Sequence, residues 1–295
     1  MAEFRTVARR SALYIPGSNT RAIEKARSLD ADVLIFDLED AVHPDRKDAA
    51  RDQTIAALRQ GGYRAETVVR VNPLSDKLGA ADIKAAARSG CQAVLLPKVE
   101  SAKEVRDAAL RLAAAGAPEN VMLWAMIETP LGVLRAQEIA LSSPHLGCLV
   151  MGTSDLVKDL RARHSEDRLA IMPSLGLCLL AARAAGLPIL DGVHLDLNDE
   201  AGFLAACKQG ADMGFDGKTL IHPKTIAACN AAFGPSAADI EWSRKVIAAF
   251  EAASAKREGV VVVDGKLVEH LHVESARRTV AMAEAIDRKN AAKVA

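Results

Sequence analysis

Short apolar runs alternate along the chain with alanine-rich segments that have the 3.6-residue period of a helix. A polar loop separates each run from the helical segment that follows it. The eight runs are SALYIP (11–16), VLIFDL (33–38), TVVRVN (67–72), AVLLPK (93–98), VMLWAMIE (121–128), GCLVMG (147–152), LPILDGV (187–193) and DMGFDGK (212–218). Eight strand–helix repeats without a long linker predict an α/β fold, a (β/α)8 TIM barrel.

The ends of the helical segments carry signals of helix termination. Glycines at positions 90, 116, 186 and 210 stand just before the next apolar run, as C-cap glycines do. The main alternative to a barrel, a doubly wound open sheet, favours a glycine-rich GxGxxG turn early in the chain. The sequence contains no such turn, which favours the barrel.

The repeat pattern stops after His222 and gives way to two helical segments, a hairpin and a final helix. The hairpin is VVVVDGKLV (260–268), with an Asp-Gly dipeptide typical of a tight turn. We therefore predict a barrel domain over residues 1–222 and a C-terminal extension of helices and hairpin over 223–295. The hairpin is too apolar for a disordered arm, so we expect it to pack on the barrel or on a neighbouring subunit.

Composition narrows the function classes. The 38 basic and 38 acidic residues balance, and aromatic residues make up 3% of the chain, so a nucleic-acid or membrane surface is not expected. No apolar segment is long enough for a membrane span, and the first residues do not have the pattern of a signal peptide. The five cysteines stand singly and predict reduced, buried thiols in a cytoplasmic protein.

Acidic residues crowd the end of the second apolar run, where Asp37, Glu39 and Asp40 follow VLIF. Two carboxylates about 4 Å apart repel by roughly 4 kcal/mol near a protein surface, so a positive group is expected there. Glu128 and Asp155 end the fifth run and follow the sixth, and two such oxygen ligands on adjacent strands suit Mg²⁺. The alternatives are a nearby lysine and, for Asp155, a helix cap.

Two further features point to an anionic ligand. Arg70 lies inside an apolar strand, where it either pairs with a buried acid or reaches the barrel mouth and grips a carboxylate. The loop IPGSNTRAIEKA begins a helix and places Arg21 and Lys25 on one face, an arrangement suited to a phosphate. A solvated basic face is the alternative for this pair.

Other chemistries find little support in the sequence. HExxH and GxSxG motifs are absent, which argues against a zinc protease and a serine hydrolase. Lys98 and Lys218 stand at strand ends, as Schiff-base lysines do, but such chemistry does not require the acidic cluster. We interpret Asp191, Lys218 and His222 as structural, with Lys218 paired to a strand-end acid and His222 capping the next loop.

Seven motifs in order resemble one family. They are RSALYIPGSN, FDLEDAVHPD, VRVN, LLPKVES, MIETPLGV, MGTSDL and GFDGKTLIHP. Over about residues 10 to 274 they are similar to the citrate lyase β-subunit and malyl-CoA lyase family of the HpcH/HpaI aldolase superfamily. The resemblance implies a TIM barrel that uses Mg²⁺, with Mn²⁺ as a substitute, on the CoA thioester of a 3-hydroxy acid.

The resemblance also implies roles for individual residues. Glu128 and Asp155 correspond to the metal ligands, and Arg70 corresponds to the substrate-binding arginine. The resemblance implies that Glu39 and Asp40 lie near the metal-bound water molecules. It also implies that CoA is contacted by Tyr14, Lys25 and Arg21. Mg²⁺ supplies a Lewis acid for such chemistry.

The C-terminal hairpin departs from the family pattern. The family has Asp in a G-x-(L/M)-(V/I)-D hairpin that completes a neighbouring subunit's site, whereas this chain has Glu269. Several phrases, among them LWAMIET and VVDGKLVEHLH, resemble a branch that hydrolyses (3S)-malyl-CoA to malate and CoA. The alternative is a retro-Claisen lyase that splits malyl-, methylmalyl-, citramalyl- or citryl-CoA. The shared hairpin implies a homotrimer or hexamer.

Overall fold

The structure is a computed structural model that describes residues 7–255 and 259–291. The strands are β1 Ser11–Pro16, β2 Val33–Asp37, β3 Glu66–Arg70, β4 Ala93–Leu96, β5 Met122–Ile127, β6 Leu146–Met151, β7 Ile189–Asp191, β8 Gly217–Leu220, β9 Val261–Val263 and β10 Lys266–Val268. The helices are α1 Thr20–Ala26, α2 Lys47–Gln60, α3 Lys77–Ala86, α4 Ala102–Ala114, α5 Pro130–Leu134, α6 Ala136–Ala140, α7 Thr153–Asp159, α8 Met172–Ala184, α9 Glu200–Met213, α10 Ile226–Phe233, α11 Ala237–Ala255 and α12 His270–Ala291.

Strands β1 to β8 form a closed parallel barrel in sequence order. The barrel closes where β1 pairs with β8, with Ser11 opposite Lys218. All strands run the same way, so their carboxyl ends meet at one mouth, and at least one helix follows each strand. The predicted TIM barrel with a helical and hairpin extension is therefore confirmed.

Apolar side chains from neighbouring strands fill the barrel interior. Its largest member is Trp124, which is fully buried on β5. Around it lie small and branched side chains from the other strands, which suit a closed barrel. They include Ala12, Val33, Ile35, Val68, Ala93, Leu95, Met126, Cys148, Val150 and Leu190.

Helix ends follow the sequence signals at most positions. Gly90, Gly116 and Gly186 have φ of 90°, 79° and 70°, the left-handed conformation that C-terminal glycines provide. The prediction for Gly210 is wrong, because α9 continues through it and ends at Gly214, with φ of 100°.

The eighth strand also differs from its prediction. The run DMGFDGK (212–218) was expected to be the strand, but its first residues complete α9 and β8 begins at Gly217. A short apolar run next to a helix end fits either structure, and here the helix extends until the left-handed glycine ends it.

The described residues divide into two compact units. One comprises residues 9–232 and contains the barrel; the other comprises residues 7 and 8 together with the described residues from 233 onward. The predicted boundary after residue 222 stays a prediction.

The second unit has a core of its own, in which α11 and α12 pack on each other and on one face of the hairpin. Asp264 and Gly265 turn the hairpin with φ of 46° and 77°, as the Asp-Gly signal predicts. On the other face of the hairpin, Val262 and Leu267 are cross-strand partners, and both side chains are exposed.

The predicted burial of the cysteine thiols is confirmed. All five thiols are free and buried. Within residues 7–255 and 259–291, no helix combines the length and apolar character needed to cross a membrane.

Candidate active site

The predicted site residues converge at the mouth because the strands that carry them are parallel neighbours. Asp37 ends β2, Arg70 ends β3, and the two are opposite each other in the strand register. Glu128 follows β5, and Asp155 lies in the first turn of α7, which follows β6. The N-cap of α7 is Gly152, without a side-chain cap, so the suggested capping role for Asp155 is wrong.

Asp37 holds the guanidinium of Arg70 in place. Nε and Nη2 of Arg70 donate to the two Asp37 oxygens over 2.7 and 2.6 Å. The same carboxylate accepts from the backbone N–H groups of Glu39 and Ala41, at 2.9 and 3.0 Å. Arg70 thus has the buried partner that a strand arginine requires, and this contact fixes the direction of its remaining nitrogen.

The third guanidinium nitrogen of Arg70, Nη1, is directed to a second set of groups. It lies 2.9 Å from Glu39 Oε2, 3.5 Å from Asp40 Oδ2 and 3.9 Å from the sulfur of Met126. The guanidinium carbon lies 4.8 Å from the centre of the Tyr14 ring, a cation–π contact. The structure therefore brings Tyr14, Arg70, Glu39 and Asp40 together.

Glu128 has a buried carboxyl group with a shifted pKa. Burial raises its pKa to about 7, against the opposing influence of Lys98. One of its oxygens accepts the backbone N–H of Lys98 over 2.9 Å. The other lies against Gly152, where any side chain would overlap the carboxylate. The glycine thus gives Glu128 the room to reach the mouth.

The ammonium of Lys98 lies among three carboxylates. Its nitrogen is 2.9 Å from Asp155 Oδ2, 3.2 Å from Glu39 Oε1 and 3.8 Å from Glu128 Oε1. Burial disfavours its charge, but these neighbours outweigh burial and raise the pKa of Lys98. For Asp155, burial raises the pKa of the carboxyl, but Lys98 and Lys158 together outweigh burial and lower that pKa.

A cavity of about 310 Å³ opens beside these groups, which is a volume typical of small-ligand sites. Its lining is Tyr14, Asp40, Ala41, Arg70, Met126, Glu128, Met151, Gly152, Thr153, Ser154, Asp155, Val193, Thr219 and Ile221. Two neighbouring cavities share some of these residues, Thr153 with Val193 in one and Thr219 with Ile221 in the other. The mouth therefore extends over the ends of β6, β7 and β8.

The donor set fits a hard divalent cation. Glu128 and Asp155 both approach one ammonium within 4 Å, so a single cation at that position can contact both. Glu39 Oε2 is buried without a hydrogen bond, because its 2.9 Å approach to Arg70 is poorly directed. Among the described residues, no three His, Cys, Asp or Glu side chains form a complete metal cluster. Magnesium commonly completes such a partial set with water and substrate oxygens.

The first loop leads into α1, as the sequence predicts. Asn19 caps α1, and its side chain accepts from the N–H of Ala22 over 3.0 Å. Arg21 and Lys25 are exposed on this helix, outside the cavity lining. Tyr14 instead lines the cavity, and burial raises its pKa.

The predicted pairing of Lys218 with a strand-end acid and the predicted capping by His222 are both present in the structure. Lys218 is fully buried and donates to Asp191 over 2.8 Å. Arg168 contacts the same carboxylate at 2.7 and 2.8 Å. His222 accepts from the N–H of Lys224 and so caps the turn that follows.

Glu269 lies in the second compact unit, directly before α12. Its backbone carbonyl accepts from His272 and Val273, and its own N–H donates to the His272 ring over 3.0 Å. Its side chain is half-buried. Its assignment to the active site stays a prediction.

Sequence reasoning missed two members of the cluster. Asp37 is not predicted as the partner of Arg70, only as one of several clustered acids. Its position opposite Arg70 on the next strand is the signal for this ion pair. A nearby lysine is one of the positive partners that the sequence analysis allows for the acids, but the sequence analysis does not identify it as Lys98. Its position at the end of β4, next to the strand that Glu128 follows, is the available signal.

The family follows from comparison with known proteins. The sequence profile of the HpcH/HpaI aldolase/citrate lyase family matches residues 10–223. The chain belongs to this family. The match covers β1 to β8 and includes every cavity-lining residue named above.

Three relatives of this HpcH/HpaI family member are informative. The (3S)-malyl-CoA thioesterase of Cereibacter sphaeroides is 52% identical over 94% of this chain and 95% of its own. The citrate lyase subunit beta of Escherichia coli is 38% identical over 95% of each chain. CitE from Mycobacterium tuberculosis, solved with magnesium, acetoacetate and coenzyme A, has a TM-score of 0.74 and 31% identity, covering 95% of this chain and all of its own.

Proposed function

We propose that this HpcH/HpaI family member is a Mg²⁺-dependent enzyme that hydrolyses (3S)-malyl-CoA to malate and CoA. One observation carries the proposal. Arg70, Glu128 and Asp155 face one cavity in a chain that is 52% identical, over nearly its whole length, to a (3S)-malyl-CoA thioesterase. The chemistry of the cavity suits the substrate, because a cation site and an arginine match the hydroxyl and carboxylate oxygens of a malyl group.

Glu128 and Asp155 are the proposed ligands of Mg²⁺, and Glu39 and Asp40 hold its water molecules. The CitE structure with magnesium supports Mg²⁺ as the cation by similarity. When bound, Mg²⁺ polarises the substrate oxygens as a Lewis acid. Mn²⁺ is expected to substitute, because it also prefers oxygen ligands in octahedral sites.

Arg70 orients the acyl group in this proposal. Asp37 occupies its Nε and Nη2 edge, so Nη1 is the nitrogen that contacts a substrate carboxylate. The ring of Tyr14 packs against the guanidinium in a cation–π contact. Arg21 and Lys25, both exposed on α1, are proposed to contact the phosphate groups of CoA.

Glu269 is the proposed general base. Its carboxylate takes a proton from a water molecule whose oxygen bonds to the thioester carbonyl carbon. The carbon–sulfur bond then breaks, and the CoA sulfur leaves with the proton that Glu269 returns. The family's shorter Asp serves C–C cleavage, and the extra methylene of Glu moves the carboxylate by about 1 Å, a shift that changes rates by about a hundredfold.

The hairpin face is the proposed contact with a second copy of the chain. Val262 and Leu267 form an exposed apolar pair on the two strands that precede Glu269. Docking of this face on a neighbouring copy, in a closed trimer or hexamer, would carry Glu269 to the neighbour's site. Light scattering tests this, with Leu267→Asp expected to dissociate the oligomer; a fully active wild-type monomer would contradict it.

A product assay tests the reaction. Purified protein is incubated with (3S)-malyl-CoA and Mg²⁺, and free thiol and glyoxylate are followed in parallel. Free thiol without glyoxylate is the expected result. Glyoxylate with acetyl-CoA and no free thiol would overturn hydrolysis and establish a lyase.

The lyase is kept as a second candidate because the citrate lyase β-subunit is 38% identical over the whole chain. Glu269→Asp discriminates between the two, since it restores the residue of the C–C cleaving relatives. We expect this variant to lose thiol release and to gain glyoxylate formation. A lyase that merely tolerates Glu would keep one product pattern in both proteins.

A further inference from the structure

Lys98 has a strained backbone at the barrel mouth. Its φ is 50°, in the left-handed region that is unfavourable for a non-glycine residue. The turn directs the Lys98 N–H to Glu128 over 2.9 Å, and the next N–H, of Val99, donates to the carbonyl of Met126. A glycine would adopt this turn without strain, so the lysine side chain is the feature to explain.

The side chain ends at the point that three carboxylates share. Asp155, Glu39 and Glu128 lie 2.9, 3.2 and 3.8 Å from Nζ. An ammonium is a compact point charge, and its preferred partners are the same hard oxygens that a divalent cation binds. Lys98 and a metal ion therefore draw on the same ligands.

We infer that Lys98 competes with the divalent cation for Glu128 and Asp155 and thereby sets the metal affinity of the site. This inference rests on the proposed function, because it takes these two residues as the metal ligands. The lysine holds the acids together before the cation binds, and it must withdraw when the cation arrives. An anionic substrate offers the displaced ammonium a new partner, so metal and substrate are expected to strengthen each other's binding.

The chain offers a matched control in Lys158. Its Nζ lies 3.4 Å from Asp155 Oδ1, whereas Lys98 contacts Oδ2 of the same carboxylate. The Lys158 side chain is 73% exposed and the Lys98 side chain 36%. Lys158→Met therefore removes a positive charge next to the same ligand, but from its outer side.

The experiment is a calorimetric titration of chelator-treated full-length protein with magnesium chloride. Lys98→Met is expected to bind Mg²⁺ about tenfold more tightly than wild type, equivalent to about 1.4 kcal/mol. Lys158→Met is expected to stay within about twofold, because exposed charges are screened. Lys98→Gly repeats the test with an unstrained turn, and it carries the test if the Met variant does not fold.

The outcomes separate this inference from the metal site itself. Wild-type or weaker Mg²⁺ binding by the Lys98 variants overturns the inference, and so does an equal gain in Lys158→Met. Glu128→Gln should abolish binding; retention of binding by this variant would instead overturn the assignment of the site. Addition of malate should increase the Mg²⁺ affinity more in wild type than in Lys98→Met. An equal increase would contradict the idea that the displaced Lys98 ammonium pairs with the anionic substrate.

Discussion

Glu128 couples the charge of the site to the stability of the protein. Burial raises its pKa from an ordinary 4.5 to about 7, so the folded protein holds this proton more tightly than the unfolded chain does. The corresponding stabilisation is complete below pH 4.5 and is lost as the pH rises through 7, an effect on the order of 3 kcal/mol.

Chelator-treated wild type should therefore melt at a lower temperature at pH 8 than at pH 5. Glu128→Gln, which does not titrate, should show a smaller decrease, and Mg²⁺ should reduce the decrease in wild type by favouring the carboxylate. Thermal melts from pH 5 to pH 8 measure this. Parallel curves for the two proteins would mean that Glu128 titrates near its ordinary value.

Gly152 determines whether Glu128 can occupy the mouth. Gly152→Ala would overlap the Glu128 carboxylate, so we expect the variant to fold but to lose at least about tenfold in Mg²⁺ affinity and activity. Gly176→Ala is the control, because a Cβ there meets nothing within 4 Å. In the interior of α8 it should be neutral or stabilise by up to about 1 kcal/mol. Equal Mg²⁺ affinity in the two variants would contradict the steric argument.

The sequence could predict which acids and which arginine meet, because parallel strands bring their ends to one mouth. It could not predict the conformation of Lys98, because the positive φ depends on two hydrogen bonds made in the folded barrel. The N–H of Lys98 donates to Glu128, and the N–H of Val99 donates to the carbonyl of Met126 on β5. The sequence also left open whether Arg70 pairs with a buried acid or binds substrate. The structure shows Asp37 on one edge of the guanidinium and the cavity beside it, so the buried partner is confirmed and the substrate contact stays a proposal.

At the scale of elements, a buried ion pair joins β7 to β8. Asp191 accepts from Lys218 and from Arg168, and the three side chains are buried or nearly so. Removal of one partner from a buried ion pair costs about 3–5 kcal/mol. Asp191→Asn should therefore destabilise the fold by about that amount, because it leaves two buried cations without their shared partner.

Lys218→Met should cost less than Asp191→Asn, because Arg168 remains to neutralise the carboxylate. Urea denaturation of the two variants measures the order. Equal or larger destabilisation by Lys218→Met would show that Arg168 does not compensate in the folded protein.

Element predictions succeeded where the hydrophobic period was long and failed where it was short. The alternation of strands and helices follows from burial of strands on both faces and of one helix face, and it gave the barrel directly. The eighth strand was misplaced because Met213 and Phe215 are apolar on both sides of a glycine that ends a helix. The left-handed conformation of Gly214 determines where α9 ends. The sequence could not distinguish this glycine from Gly210, which lies inside the helix.

At the scale of the whole molecule, the chain consists of a barrel unit and a smaller C-terminal unit with its own core. The hairpin was predictable from its Asp-Gly turn and apolar strands. What binds the exposed face of the hairpin was not predictable. The side chains of Val262 and Leu267 show only that this face is apolar. Whether Glu269 acts on its own barrel or on a neighbour's is a property of the assembly.

Mixing two inactive variants decides between these possibilities. Glu128→Gln has a defective barrel and an intact hairpin, and Glu269→Ala has the reverse. If each site combines one chain's barrel with another's hairpin, subunits exchanged at equal amounts should regain about a quarter of the wild-type activity per site. If Glu269 acts within its own chain, every site keeps one defect and no activity returns. Wild-type activity in Glu269→Ala alone would remove this residue from the mechanism and leave the barrel site to act without it.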